Sequence, residues 1–114
     1  MTQTDNSAIV ATPLNGHIGA EISNIDLGRP LAQADFDGLQ AALARYEVLV
    51  FRDQDISLEA QIAFAKRFGN LSTHPFATNL PDVQEVIEFD NSGRNPAGPT
   101  DSWHSDETFR ARPP

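Results

Sequence analysis

The spacing of apolar residues changes several times along this chain, and each change marks a predicted element. Over residues 9–27, β-branched side chains alternate with small and polar ones, and Asn15-Gly16 and Gly19 interrupt the run. Two short strands joined by an Asn-Gly turn satisfy that pattern, because Asn-Gly accepts the positive φ angles of a tight hairpin. Over residues 33–46, Phe36, Leu39, Leu43 and Tyr46 recur at helical spacing, and Asp35 puts a negative charge near the start, where the helix dipole favours it. The spacing predicts an amphipathic packing helix, in which Gly38 costs about 1 kcal/mol relative to alanine. Residues 47–52, Glu-Val-Leu-Val-Phe-Arg, form an apolar run too short for a helix and bounded by charge, which predicts a buried strand. Arg52-Asp53-Gln54 ends it, and those charges read as solvation of the strand end or a local salt bridge.

A second helix is expected from Ser57 as N-cap, with Glu59 in the first turn, Lys66 and Arg67 in the last, and Gly69 as the stop. Leu58, Ile62, Ala65 and Phe68 form its predicted buried stripe. Residues 71–81 show no period, and Pro75 biases His74 toward an extended backbone. Residues 83–89 are strand-like. Residues 91–101 are dense in turn formers and read as a long surface loop. Loops of that length in compact domains are often functional. This one leads straight into Trp103-His104-Ser105-Asp106-Glu107-Thr108-Phe109. Residues 1–8 are polar and small, the expected composition of a frayed tail.

Composition narrows the function classes. A length of 114 residues fits one small domain, and an apolar content of 39% is ordinary for a globular protein. The formal charge of −8, with no Lys/Arg cluster, disfavours nucleic acid and anionic membrane as partners. The absence of cysteine excludes disulfides and thiolate ligands. The start of the chain lacks the basic residues and apolar run of a signal peptide, and the longest strongly apolar stretch is residues 48–51. A cytoplasmic protein is the expectation.

In an extended strand, residues i and i+2 project from one face, so His104 and Asp106 are expected to point together, away from Trp103 and Ser105. An imidazole and a carboxylate on one face are half of a 2-His-1-carboxylate triad, which holds non-heme Fe(II) and leaves positions open for substrate and oxygen. An isolated His-x-Asp is also compatible with a polar strand end. His17, with no carboxylate or second histidine beside it, reads as an ordinary surface or packing histidine.

The residues flanking His104 and Asp106 carry a resemblance. Trp103 to Phe109 followed by Arg112-Pro113-Pro114 resembles the iron-binding segment of the TauD/TfdA family of Fe(II)- and 2-oxoglutarate-dependent dioxygenases. Thr12-Pro13-Leu14, Ile18-Gly19-Ala20-Glu21-Ile22, Ile25-Asp26-Leu27, Val50-Phe51-Arg52-Asp53-Gln54, Phe64-Ala65, Arg67-Phe68-Gly69 and His74-Pro75 fall in the family's order and spacing, so the resemblance covers nearly the whole chain.

The resemblance implies an α+β fold: the N-terminal part of a double-stranded β-helix, or jelly roll, with an N-terminal hairpin and two packing helices. Residues 1–114 would then be an incomplete dioxygenase domain that exposes a surface meant to be covered. His104 and Asp106 match the first two iron ligands; the third, a histidine followed by an arginine for 2-oxoglutarate, falls further downstream in the family. The implied cofactors are Fe(II), 2-oxoglutarate as cosubstrate and O₂. The implied reaction is hydroxylation of a small anionic substrate with release of succinate and CO₂, and a homo-oligomer is left open for the full-length form. His74 matches a family position that contacts the substrate's anionic head. Thr100 stands where taurine dioxygenases carry an amide, and Ala77 where they carry an aromatic residue. Both departures remove contacts that taurine dioxygenases make, while Thr100 is kept with His74 as an expected substrate-binding residue, and the implied substrate class is a sulfonate such as taurine, a sulfate ester or a carboxylate. Arg110 and Arg112 come too early for the cofactor arginine and are expected to have a structural or surface role, and Trp103, Thr108 and Phe109 to pack the strand and the turn after it. The alternatives are a noncatalytic metal- or ligand-binding jelly-roll module and an inactive truncated fragment.

Overall fold

The computed structural model describes residues 8–75, 79–88 and 103–113. The chain divides into two compact units, Met1–Gly69 and Asn70–Pro114. The residues before Ala8, Ala77, Phe89 and the expected 91–101 loop with Thr100 lie outside the described residues.

In the first unit, β1 (Val10–Pro13) runs antiparallel to β2 (Ala20–Ser23), with Val10 opposite Ser23 and Pro13 opposite Ala20. The predicted hairpin is present, but its connection is longer than an Asn-Gly turn. Residues 14–19 form a loop closed by the Leu14 N–H on the Gly19 carbonyl at 2.9 Å, and Asn15 Oδ1 accepts from the N–H groups of His17 and Ile18. The Asn15 side chain, rather than a left-handed Asn-Gly pair, supplies the turn. His17 is exposed there.

From β2 the chain passes through α1 (Gln33–Tyr46) to β3 (Leu49–Val50), which pairs parallel with β2 and gives the order β1-β2-β3. Parallel neighbours need such a crossover, and a helix supplies it. The end of α1 is tied directly to the sheet. The Tyr46 carbonyl accepts from Gly19 at 2.8 Å, and the Val48 carbonyl accepts from Ala20 at 2.9 Å. Gly19 makes its bond at φ +95°, a backbone state that a side chain disfavours.

Ala20 and Ile22 lie two apart on β2 and are both buried, as the strand period requires. Ile22 meets Leu39 and Ala42 of α1 in the core cluster, with Tyr46, Leu49, Phe51 and Phe64 packed around it, and Phe36 is also buried. The predicted stripe of α1 is corrected at one position. Ala42 is buried in the cluster with Ile22 and Leu39, whereas Leu43 is 38% exposed. The predicted buried strand over 47–52 is also shorter and more open. Glu47 adopts φ +65° and Val48 belongs to the turn after α1, so only Leu49 and Val50 pair, on an edge, and both are half-buried.

The second helix, α2 (Leu58–Lys66), starts as predicted: Ser57 Oγ accepts from the Ala60 N–H at 3.2 Å. Its predicted buried stripe is not buried. Leu58, Ile62 and Ala65 are half-covered and Phe68 is exposed, since no second layer covers α2 among the described residues. Phe64 makes the inward contact instead, edge-on to Phe51 and Phe68 at 6.0 and 5.3 Å between ring centroids. Polar side chains hold the remaining loops. Gln54 accepts from Leu27 N–H at 2.8 Å and donates to the carbonyls of Ile25 and Arg52. Arg67 donates to the Leu31 carbonyl and lies over the Phe36 ring at 4.4 Å. Arg52 pairs with Glu21 at 2.8 Å, the local salt bridge anticipated at the end of β3, and that hydrogen bond and charge raise the Arg52 pKa above its ordinary range.

In the second unit, β4 (Asn79–Leu80) pairs antiparallel with β5 (Val83–Ile87) across a turn at Pro81 and Asp82. β5 follows the predicted strand; β4 falls in a stretch without period, because two residues are too few to show alternation.

The core assigns unequal weight to two leucines of one apparent stripe. Leu39→Ala removes a fully buried side chain and is expected to cost about 2–5 kcal/mol. Leu43→Ala is expected to cost less than about 1 kcal/mol, as surface substitutions do. Urea unfolding followed by far-UV circular dichroism checks the ranking, and equal losses would contradict the packing.

Candidate iron-ligand pair and anion site

The second unit carries the chemistry-bearing side chains. His104 Nε2 and Asp106 Oδ1 lie 3.1 Å apart, both exposed to solvent. The juxtaposition agrees with the sequence expectation, but the expected strand does not: residues 103–105 have no regular pairing and residues 106–109 form a turn. Glu107 bends the chain there at φ +44°. The i, i+2 spacing therefore brings the two groups together at the mouth of a turn rather than along a pleated strand.

That separation suits a shared ion. Two neighbouring ligands, each about 2.1 Å from a divalent metal as in zinc sites, have donor atoms about 3 Å apart when they subtend a right angle. The donors are an imidazole nitrogen and a carboxylate oxygen, the set that a facial triad uses on Fe(II). No group of three possible metal ligands occurs among the described residues. His104 and Asp106 thus offer two coordination bonds, and without a metal the same two atoms attract one another.

His74 stands elsewhere in this unit. Its ring is edge-on to Phe109 at 6.2 Å, and its Nε2 lies 3.7 Å from Glu107 Oε1. Glu107 in turn forms an ion pair with Arg110, three residues on. The Glu107 side chain is only 9% exposed, so the cation beside it offsets a desolvation cost that an unpaired carboxylate could not bear. Arg110 also donates from Nη2 to the carbonyl of Thr73 at 3.0 Å and lies 5.7 Å from the Phe109 ring centre. Arg110 is structural, as expected of it, and Arg112 is exposed. Thr100, the other expected substrate contact, lies outside the described residues.

Sequence reasoning passed over Glu107 and the extent of Arg110's contacts. The available signal was the acidic and basic pair three residues apart, which a turn or a helix brings together. The expected packing of Trp103, Thr108 and Phe109 is corrected: Trp103 and Thr108 are exposed, and Phe109 is largely exposed apart from its contact with His74. A turn has no opposite face against which to press them. A cavity of about 460 Å³ lies in the first unit, lined by Leu27, Leu31, Ala60, Phe64 and Arg67 among others. It holds none of the expected ligands.

The profile of the family described as "Taurine catabolism dioxygenase TauD, TfdA family" matches residues 11–114. An alpha-ketoglutarate-dependent sulfate ester dioxygenase from Pseudomonas putida is 35% identical over 98 residues, covering 85% of this chain and 32% of that protein. An (S)-phenoxypropionate/alpha-ketoglutarate-dioxygenase from Sphingobium herbicidovorans is 37% identical over 100 residues, covering 85% of this chain and 34% of that protein. The crystal structure of a taurine dioxygenase from Burkholderia xenovorans superposes with a TM-score of 0.65 at 36% identity, over 69% of this chain and 29% of that one. The chain thus spans about a third of the length of the relatives it matches.

Trp103 is the only tryptophan, so its exposure is directly readable. The 114-residue chain is expected to emit as a solvent-exposed indole and to be quenched by acrylamide as efficiently as a free tryptophan analogue. A blue-shifted, protected emission would contradict the geometry of residues 103–109.

Proposed function

The chain belongs to the TauD/TfdA family, and from that premise we propose that it is the N-terminal portion of an Fe(II)- and 2-oxoglutarate-dependent dioxygenase acting on a small anionic organic substrate. Residues 1–114 are, on this reading, an incomplete dioxygenase domain whose jelly roll is completed by further sequence. The observation that carries it is the 3.1 Å approach of His104 Nε2 to Asp106 Oδ1, inside the segment that the family profile matches. When bound, Fe(II) and 2-oxoglutarate supply the oxidation of a substrate C–H bond by O₂, with release of succinate and CO₂.

The chain's own residues bind and orient. His104 and Asp106 supply two of the three iron ligands, one neutral and one anionic, which leaves room on the ion for the oxo acid. A second histidine, needed to finish the triad, is supplied by the remainder of the enzyme. His74 and Thr100 contact the substrate. A half-buried imidazole suits the head group of an anion, because its ring N–H donates a charge-assisted hydrogen bond when protonated. The named substrates of the two relatives, a sulfate ester and a phenoxypropionate, each join an anionic head to an apolar body. That pairing favours a sulfate ester or aryloxy carboxylate over taurine, whose amine gives it a second charge. No helix among the described residues is long and apolar enough to cross a membrane; the proposed enzyme is cytoplasmic.

The complete polypeptide, mixed with Fe(II) and 2-oxoglutarate without oxygen, is expected to show a weak visible charge-transfer absorption. His104→Ala and Asp106→Ala are each expected to abolish it, and its persistence in both variants would remove these residues as ligands. Succinate formation screened against alkyl sulfates, aryloxy acids and sulfonates then ranks the substrates. Turnover of taurine above the other classes would contradict the substrate reading.

A further inference from the structure

Glu107 has no part in the iron and substrate roles above, yet it is the most completely enclosed charged side chain of the pairs in the second unit. Its backbone sits at φ +44°, where Asn or Gly is the usual occupant and an ordinary L residue is strained. A glutamate kept in that conformation, with its carboxylate buried, points to a requirement for the side chain itself. Its two oxygens face different partners: Oε2 meets Arg110 Nε, and Oε1 lies 3.7 Å from His74 Nε2. Arg110 closes the arrangement by donating to the carbonyl of Thr73, the residue before His74.

We infer that Glu107, fixed by Arg110, is a positioning residue that sets the His74 imidazole at the substrate-anion site and ties the Thr73–His74 segment to the segment bearing His104 and Asp106. The proposal rests on the reading of His74 as the anion contact. Three links converge on one result. The guanidinium holds the Thr73 backbone, the carboxylate limits rotation of the His74 ring by attracting its Nε2 side, and Phe109 closes off the ring edge-on. Glu107 directly follows Asp106, so a shift of the turn that moves the iron ligand also moves the group that aims His74. The carboxylate also opposes anion entry from its own side. An anion on His74 must therefore approach the imidazole away from Glu107, which gives the substrate head a direction.

Two variants separate positioning from folding. Glu107→Gln removes the charge at nearly constant shape, and Glu107→Gln/Arg110→Gln removes both charges so that neither ion is left buried alone. In the isotope-labelled 114-residue chain, nuclear Overhauser contacts between the His74 and Phe109 rings are expected in the unaltered protein. They are expected to vanish in both variants while the Leu80–Val83 contact across the β4–β5 turn persists. Retention of the His74–Phe109 contacts in both would overturn the inference. In the complete enzyme, with hexyl sulfate as probe, the double variant is expected to raise KM about tenfold, the lower end for loss of a supporting contact, with kcat changed less than about twofold. Its anaerobic charge-transfer band should remain. An unchanged KM would also overturn the inference. Loss of the band in the unaltered enzyme would instead count against the iron-ligand reading, and the ring contacts would still decide the role of Glu107.

Discussion

A carboxylate removed from water must find a cation, and in the second unit that requirement is met within one turn of chain. Glu107 takes Arg110 as its counterion. The remaining valence of both groups is then directed outward, to His74 from the carboxylate and to the Thr73 carbonyl from the guanidinium. The turn that makes the pair possible also presents His104 and Asp106 to solvent on a shared side. His74, far from Glu107 in sequence, is thereby brought to 3.7 Å from its carboxylate.

The first unit works on different physics. Its core is a βαβ arrangement in which Leu39 and Ala42 of α1 press on Ile22 of β2, and the helix end is tied to the sheet by backbone bonds from Gly19 and Ala20. Here the sequence pattern was a good guide to elements and a poorer one to contacts. The bounds of α1, the Ser57 cap and the first hairpin follow from local signals, since periodicity and capping depend on near neighbours. The choice of Ala42 over Leu43, and of Phe64 over Phe68, depends on how closely another element approaches, which no local pattern encodes. Gln54 is the extreme case, because its bonds to Leu27 and Ile25 span almost thirty residues.

The site divides along the same line. His104 and Asp106 were legible because a two-residue spacing is itself a geometric statement, and it survived even though the backbone between them is a turn and not a strand. His74 enters only through the family resemblance, and its neighbour Glu107 is marked in the sequence only by its spacing of three from Arg110. A glutamate in a left-handed turn contradicts backbone preference, so local rules give no reason to expect it there. Large apolar side chains are exposed in each unit, Ile18, Val48 and Phe68 in the first and Trp103 and Phe109 in the second.

His104 and Asp106 are proposed to share one ion. The most direct measurement is the anomalous scattering of Mn(II) bound in crystals of the complete polypeptide, collected with a nonhydrolysed 2-oxo acid analogue. The account predicts a single strong peak within coordination distance of both His104 Nε2 and an Asp106 carboxylate oxygen. A peak that touches neither residue, or that has Glu107 in place of Asp106, would contradict it.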